Sequence, residues 1–434
     1  MRTLTWAVGA GLIVAGPAIL GVSSGHRAAV AHHKTETLTF WQQWTGGAAG
    51  EGPNVTALKM MIGAFEKKYP YVHVKMISAQ NDAKILTAIA AGTAPDVIDL
   101  SGSEPITEWA SKGALMPLNK FVNQKGFSKN AFVPAGLQAL TYKGKLYGLP
   151  FMNFDAALYW NKAEFKKAGL NPNQPPKTIQ QLERDAKLLT KIGPNGKIQQ
   201  LGFFDQTGLQ SVAWLFGGGW YNAKAHRAIA NSPANIRAAT FEQYEYKAFG
   251  YAKVNDFIGS LGVGLTANGP FESGKVAMSY NGVWDQAFIK TNVPHLQYGI
   301  APMPAPAGLS RLSGSTYLDT NPQVIPSDSP NPRLAWEFIR FETTQAKLDA
   351  RFASLVDNLS QLKNSPPTNW TKSAGYRLFQ QEANSSNAHV FPALPYRTEY
   401  ETDISNTQTA IQEGTASPQK AMNALQQKVA QLQK

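Results

Sequence analysis

The chain contains no cysteine, so it forms no disulfide and offers no thiolate to a metal. The same absence removes the N-terminal cysteine through which many exported proteins carry a lipid. Charge is sparse too: 16% of the 434 residues are charged and 43% are hydrophobic, the balance of a packed globular chain and not of a disordered one. Acids are the scarcer sign, 29 against 41 Lys and Arg. No basic run is longer than Lys67-Lys68 or Lys166-Lys167, so the surplus reads as an evenly basic surface with no nucleic-acid patch. A carboxylate-poor surface also changes its charge less as pH falls, which suits an acidic medium. Catalytic signatures are missing: beyond residue 31 there is no G-x-S-x-G elbow, and nowhere a G-x-x-x-x-G-K-[ST] loop or an H-E-x-x-H pair. Apart from His32-His33 the later histidines stand alone, and the acids show no spacing that points to a glycosidase pair or forbids one. No cofactor or metal is expected.

Long apolar runs are confined to one place. Arg2 precedes an apolar stretch from Leu4 to Val22, and small and polar residues then lead to Ala29-Val30-Ala31. This is the layout of a secretory signal over residues 1–31, cleaved after Ala31. An uncleaved anchor is the competing reading, since Trp6 to Val22 nears the lower limit of a span. Removing 1–31 leaves 39 basic against 29 acidic side chains, or +10. An extracytoplasmic location follows, periplasmic or on the outer face of the cell membrane.

The rest of the chain alternates two periods. Leu38 to Gln42, Val72 to Ile77 and the more continuously apolar Asp96 to Leu100 predict strands. A helix bearing Leu58, Met61, Ile62 and Phe65 and another over Ile85 to Ala91 lie between them, and the glycine-rich loop Gly46 to Gly50 follows the first strand. This order argues α/β. Thr178 with Gln181, Asn331-Pro332 and Ser417-Pro418 mark later helix starts. Gly217 to Gly219 reads as a loop. In KVAMSYNGVWDQAF, Lys275 to Phe288, alternation predicts a strand buried on one face, then a turn at Asn281-Gly282, then Trp284-Asp285.

Aromatic residues are plentiful: 11% of the chain, with ten Trp. Many fall in loops beside polar groups, an arrangement suited to ligands with C–H faces and hydroxyl edges, namely sugars. Trp160 and Trp336 lie inside elements and are assigned to the core.

Several segments together resemble one family, the extracellular solute-binding proteins of bacterial carbohydrate ABC importers, the group that includes maltose-binding protein. They are AAGTAPDVIDLSGSEPITEWASKGALMPLN (Ala90 to Asn119), YKGKLYGLPFMNFDAALYWNKAEFKKAGLNPNQPPKTIQQLERDAKLL (Tyr142 to Leu189) and FESGKVAMSYNGVW (Phe271 to Trp284). YGIAPMPAPAG, SPNPRLAWEFIRF and AIQEGTASPQKAMNALQQ complete the series. The resemblance implies a two-lobe α/β fold of the periplasmic-binding-protein type (type II), with a cleft between lobes joined by crossover strands. One lobe would be residues 36–150 with 318–365, the other 151–317 with 366–434, crossing at Gly148-Leu149-Pro150 and near Leu318. It implies a carbohydrate ligand, a membrane permease partner and a monomer without catalysis. By matching segments the site would be Gln43, Trp44, Asn81, Asp82, Ser103, Glu104, Asn153 and Asp155 from the first lobe and the crossover, with Trp214, Trp220, Trp284, Asp285, Ser315, Tyr317 and Arg397 from the second. A non-sugar solute such as a polyol or glycerol phosphate, or a secreted glycosidase, remains the alternative.

Overall fold

The computed structural model describes residues 35–44, 53–262 and 266–433; the signal segment, His32-His33 and the loop Gly46 to Gly50 lie outside them. Strands β1 (Glu36–Gln42), β2 (Val72–Ile77) and β3 (Val97–Asp99) form where the alternation places them, with helix α1 (Pro53–Lys68) between the first two and α2 (Asp82–Ala90) before the third. β1 runs parallel to both β2 and β3. Leu38, Phe40 and Gln42 share its inner face by the two-residue period of a strand. That face is apolar except at its last position, where the sheet approaches the site.

The sheet is completed by two strands from later in the chain, β4 (Gly148–Phe154) and β11 (Asp319–Val324), in the order β2-β1-β3-β11-β4, with β11 antiparallel to both neighbours. A second sheet comprises β5 (Ala156–Asn161), β6 (Lys191–Ile192), β7 (Ile198–Asp205), β8 (Val276–Gly282) and β9 (Tyr298–Ala301), in the order β9-β5-β8-β7-β6. Each sheet has its own core. Phe40, Phe65, Trp336 and Phe338 pack on the first, and Leu158, Trp160, Met278 and Tyr400 on the second. Trp160 and Trp336 are therefore core residues, as assigned.

The passage between sheets differs from the expectation. Gly148-Leu149-Pro150 lie inside β4, paired with β11, and the chain leaves the first sheet only at Asp155, the single residue between β4 and β5. Leu318 lies between β10 (Thr316–Tyr317) and β11. β10 pairs in parallel with β12 (Ala388–His389). The stretch from Lys275 also differs: all seven residues of β8 are buried, because β8 lies between β5 and β7 and both its faces are covered. Asn281 and Gly282 are its last strand residues and no turn.

Helix starts follow local chemistry. In α4 (Ile179–Leu189) the Thr178 hydroxyl accepts from the Gln181 backbone N–H at 3.1 Å, while the Gln181 side chain reaches back to the N–H of Lys177. Further helices that position the site are α3 (Ile106–Ser111), α5 (Leu209–Leu215), α6 (Asp285–Asn292), α7 (Pro332–Thr344), α8 (Ala346–Val356), α9 (Ala374–Ala383), α10 (Arg397–Gln412) and α11 (Pro418–Leu432). No helix among the described residues is long and apolar enough to cross a membrane.

Candidate ligand-binding site at the junction of the two sheets

Ligands of open α/β sheets sit beyond the carboxyl ends of the parallel strands. At those ends, Gln43 ties three loops together. Its amide donates to the Asp82 carboxylate after β2, and its carbonyl oxygen accepts from the backbone N–H (2.7 Å) and hydroxyl (2.9 Å) of Ser101 after β3. Asn81 caps α2, its side chain accepting from Lys84 N–H at 2.9 Å. Trp44 lies over Phe352 at 6.3 Å and against Phe151 at 6.4 Å, which fixes its ring at the end of β1.

Two residues further along the third loop, Ser103 enters a closed ring of polar side chains. Arg397, the first residue of α10, is only 1% exposed. Its Nη1 donates to the carbonyl (3.1 Å) and hydroxyl (3.0 Å) of Ser103, its Nη2 to Tyr317 Oη (2.8 Å) and its Nε to Glu401 (3.0 Å). Both hydroxyls pass their protons on to one acceptor: Tyr317 Oη donates to Asp319 at 3.2 Å, and Ser103 Oγ donates to the other oxygen of the same carboxylate. Glu401 also accepts from Gln210 at 2.8 Å. Burial works against the Arg397 charge, but Tyr317, Glu401, Asp319 and Glu104 together raise its pKa. Glu104 is pushed up to about 8 by burial, then by Asp319 and Glu401, with Arg397 opposing. At neutral pH its carboxyl is therefore largely protonated and can donate to, as well as accept from, a hydroxyl.

An aromatic stack backs the ring. Trp214 of α5 lies nearly parallel to Tyr317 (5.8 Å, 14°) and to His389 (5.2 Å, 7°), which are register partners on β10 and β12. Burial lowers the His389 pKa, so the ring stacks as the neutral imidazole.

Five expected residues thus come together: Ser103, Glu104, Trp214, Tyr317 and Arg397. Gln43, Trp44, Asn81 and Asp82 form the rim of the first sheet. The others cluster at the crossover or in the core. Asn153 and Ser315 are fully buried, and Asp155 is buried with both oxygens unbonded, its pKa raised by burial and by Glu382. Asp285, another residue that the matching segments put in the site, is fully buried, and burial and Glu272 push its carboxyl up to about 8. Trp284 is half-buried and edge-on to Phe154 at 5.6 Å. Trp220 is a strut: its indole N–H holds the Gln210 carbonyl at 3.0 Å while Tyr400 packs edge-on against it.

Sequence reasoning missed Asp319, Glu401, Gln210 and His389. Glu401 was reachable, because it lies one helical turn after Arg397. His389 was not, since only the pairing of β10 with β12 brings it to Trp214. Among the described residues no group of three metal-ligating side chains occurs.

Two sheets with separate cores, joined by crossover strands around a polar and aromatic junction, define a two-lobe binding protein. The model of the bacterial extracellular solute-binding protein family matches residues 49–347, and the chain belongs to that family. The putative binding protein BAB2_0491 of Brucella abortus is 26% identical over 393 residues, 86% of this chain and 87% of that one. The periplasmic sn-glycerol-3-phosphate-binding protein UgpB of Salmonella typhimurium is 34% identical over 151 residues, 34% of each chain. Among solved structures, CpMnBP1 with mannobiose bound superposes with a TM-score of 0.79 at 28% identity, over 91% of this chain and 100% of that one.

Proposed function

We propose that the chain is the extracytoplasmic substrate-binding component of an ABC importer, that it holds a mono- or oligosaccharide between its lobes, and that it delivers the sugar to the membrane permease by lobe closure. The moving bodies are residues 36–150 with 318–365 and 151–317 with 366–434, the first boundary shifted to Asp155 where β4 passes into β5. The observation that carries this reading is the bond between Ser103, on a loop of the first sheet, and Arg397, on a helix whose Tyr400, Ile404 and Ile411 belong to the core of the second. A ligand that adds contacts to both lobes shifts the population toward the joined form, which is the form a permease distinguishes.

Ser103, Tyr317 and Arg397 then hold the lobes, while Trp44, Asp82, Glu104 and Trp284 face the sugar as plates and hydrogen-bonding edges. A micromolar dissociation constant corresponds to about −8 kcal/mol, within reach of such contacts. CpMnBP1, whose structure contains mannobiose, supports a sugar of that class.

A second reading, glycerol phosphate, draws on the identity with UgpB. The ring opposes it. All three guanidinium nitrogens of Arg397 are engaged by protein atoms, and Asp319 and Glu401 lie beside it.

Thermal shift and isothermal titration against a sugar panel test the proposal. A neutral mono- or oligosaccharide is expected to raise the melting temperature and remain unaltered. Conversion of any sugar to product, or stabilisation by glycerol 3-phosphate alone, overturns it.

A further inference from the structure

A concavity of about 840 Å³ lies away from the ring. Helix α6 and the segment leading into β9, from the second sheet, form one wall; the C-terminal end of α8 and residues 368–373 form the other. None of the site residues inferred from sequence lines it. The volume is in the range of small-molecule sites, about 300–1,000 Å³.

Three features give it a chemical character. The bed is apolar: Ile289, Leu296 and the ring of Trp370, which is fixed by its indole N–H on the Asn358 carbonyl at 2.9 Å and by Tyr376 edge-on at 5.7 Å. Asp357, 5% exposed and held in the left-handed region at φ 46°, accepts from Lys290 Nζ at 3.3 Å through one oxygen, while its other, buried oxygen has no partner. The exposed guanidinium of Arg351 has no hydrogen-bond or ion-pair partner among the described residues.

With Lys290 matched to Asp357, one free cation, Arg351, remains among the described residues that line the cavity. A monoanion balances it. A phosphate dianion would exceed it beside a buried carboxylate. The unbonded Asp357 oxygen calls for a hydroxyl donor, and burying such an acceptor without one is costly. The Trp370 face and aliphatic bed suit the C–H face of a sugar ring or chain.

We propose that this cavity binds a small polyhydroxylated monocarboxylate, of the uronic or aldonic acid class, with its carboxylate forked on Arg351, a hydroxyl donated to Asp357 and its C–H face on Trp370. Planar bidentate pairing is the geometry in which guanidinium best recognises carboxylate. Because the walls belong to different sheets, occupancy also favours the arrangement in which Lys290 meets Asp357, and so couples to the ligand at the ring in a reciprocal manner.

Titration calorimetry of the full chain at low salt with D-galacturonate, D-gluconate, D-galactose and glycerol 3-phosphate tests this. One of the two carboxylates is expected to bind saturably with one-to-one stoichiometry, at least tenfold more tightly than galactose or glycerol 3-phosphate. R351A, at an exposed position, is expected to weaken it at least tenfold, with R351K intermediate. Affinity for the neutral sugar that stabilises the parent is retained by R351A, which separates this site from the ring. Binding by neither carboxylate, binding unchanged in R351A, or tighter binding of glycerol 3-phosphate overturns the proposal.

Discussion

The guanidinium of Arg397 donates to both the carbonyl and the hydroxyl of Ser103, a residue 294 positions earlier in the chain. Proton directions close without conflict: Arg397 donates to Ser103 and Tyr317, and both donate to Asp319. The ring is therefore a bond between the two halves as well as part of the proposed site. One cation is shared among several carboxylates, so its loss leaves buried acids uncompensated.

Arg397→Ala is accordingly expected to destabilise the chain by about 3–5 kcal/mol, the cost of removing one partner from a buried pair. Arg397→Lys keeps the charge but cannot reach Ser103, Tyr317 and Glu401 at once, so it falls between the two. Urea denaturation measures both. A change below about 1 kcal/mol for the alanine variant would show that the ring does not hold the structure.

Stability should rise toward acid. Burial pushes Glu104, Asp285 and Glu342 up to about 8 and Asp349 up to about 7. In the unfolded chain such carboxyls ionise near about 4. Between those values the folded chain holds more protons, so the contribution is complete below about pH 4 and is lost as pH climbs through 7 to 8. Glu164 acts in the opposite sense, held down against its burial by Lys167 and Lys191. The melting temperature is expected to be higher at pH 5 than at pH 8, with Glu342→Gln flattening the dependence. A higher value at pH 8 in the parent contradicts the assignment.

Strands β1 to β3 were legible from the alternation of strand-like and helix-like stretches, whereas β4 and β11, which complete the first sheet, carried no such signal. Strand β8 was harder. Ala277, Ser279 and Asn281 are small or polar and look solvent-facing, yet the strand is central and both its faces are covered, so alternation lost its meaning. The site was legible as a set of loops and less so as a set of roles. Ser103, Tyr317 and Arg397 come together, but their side chains bond each other and meet at Asp319, an acid two residues past Tyr317 that carries no motif. Trp220 shows the same limit: a loop tryptophan reads as a plate until its indole is seen bonded to Gln210.

Gln43 organises the rim without burial to protect it, so its loss should be local. Gln43→Ala removes the bonds to Asp82 and Ser101 and is expected to cost about 1 kcal/mol. Amide hydrogen exchange is expected to rise over residues 78–82 and 100–104 and to stay unchanged in β8. Uniform acceleration across the chain, or none, counts against a role as tie between loops.

Trp284 owes its position to the missing side chain of Gly282. A Cβ at Gly282 would stand 2.2 Å from the indole ring, so alanine there cannot coexist with the observed rotamer. Trp284→Ala is expected to weaken the ligand that stabilises the parent at least tenfold, about 1.4 kcal/mol. Gly282→Ala should do nearly the same by displacing the ring, although it removes no ligand-facing atom. In the double variant the second change then adds little, because the ring it would displace is already gone, and a double-mutant cycle reads this as a large coupling. Calorimetry on the four proteins decides the matter. Full affinity in Trp284→Ala, or simple additivity of the two losses, would remove Trp284 from the site and return it to the core around Phe154.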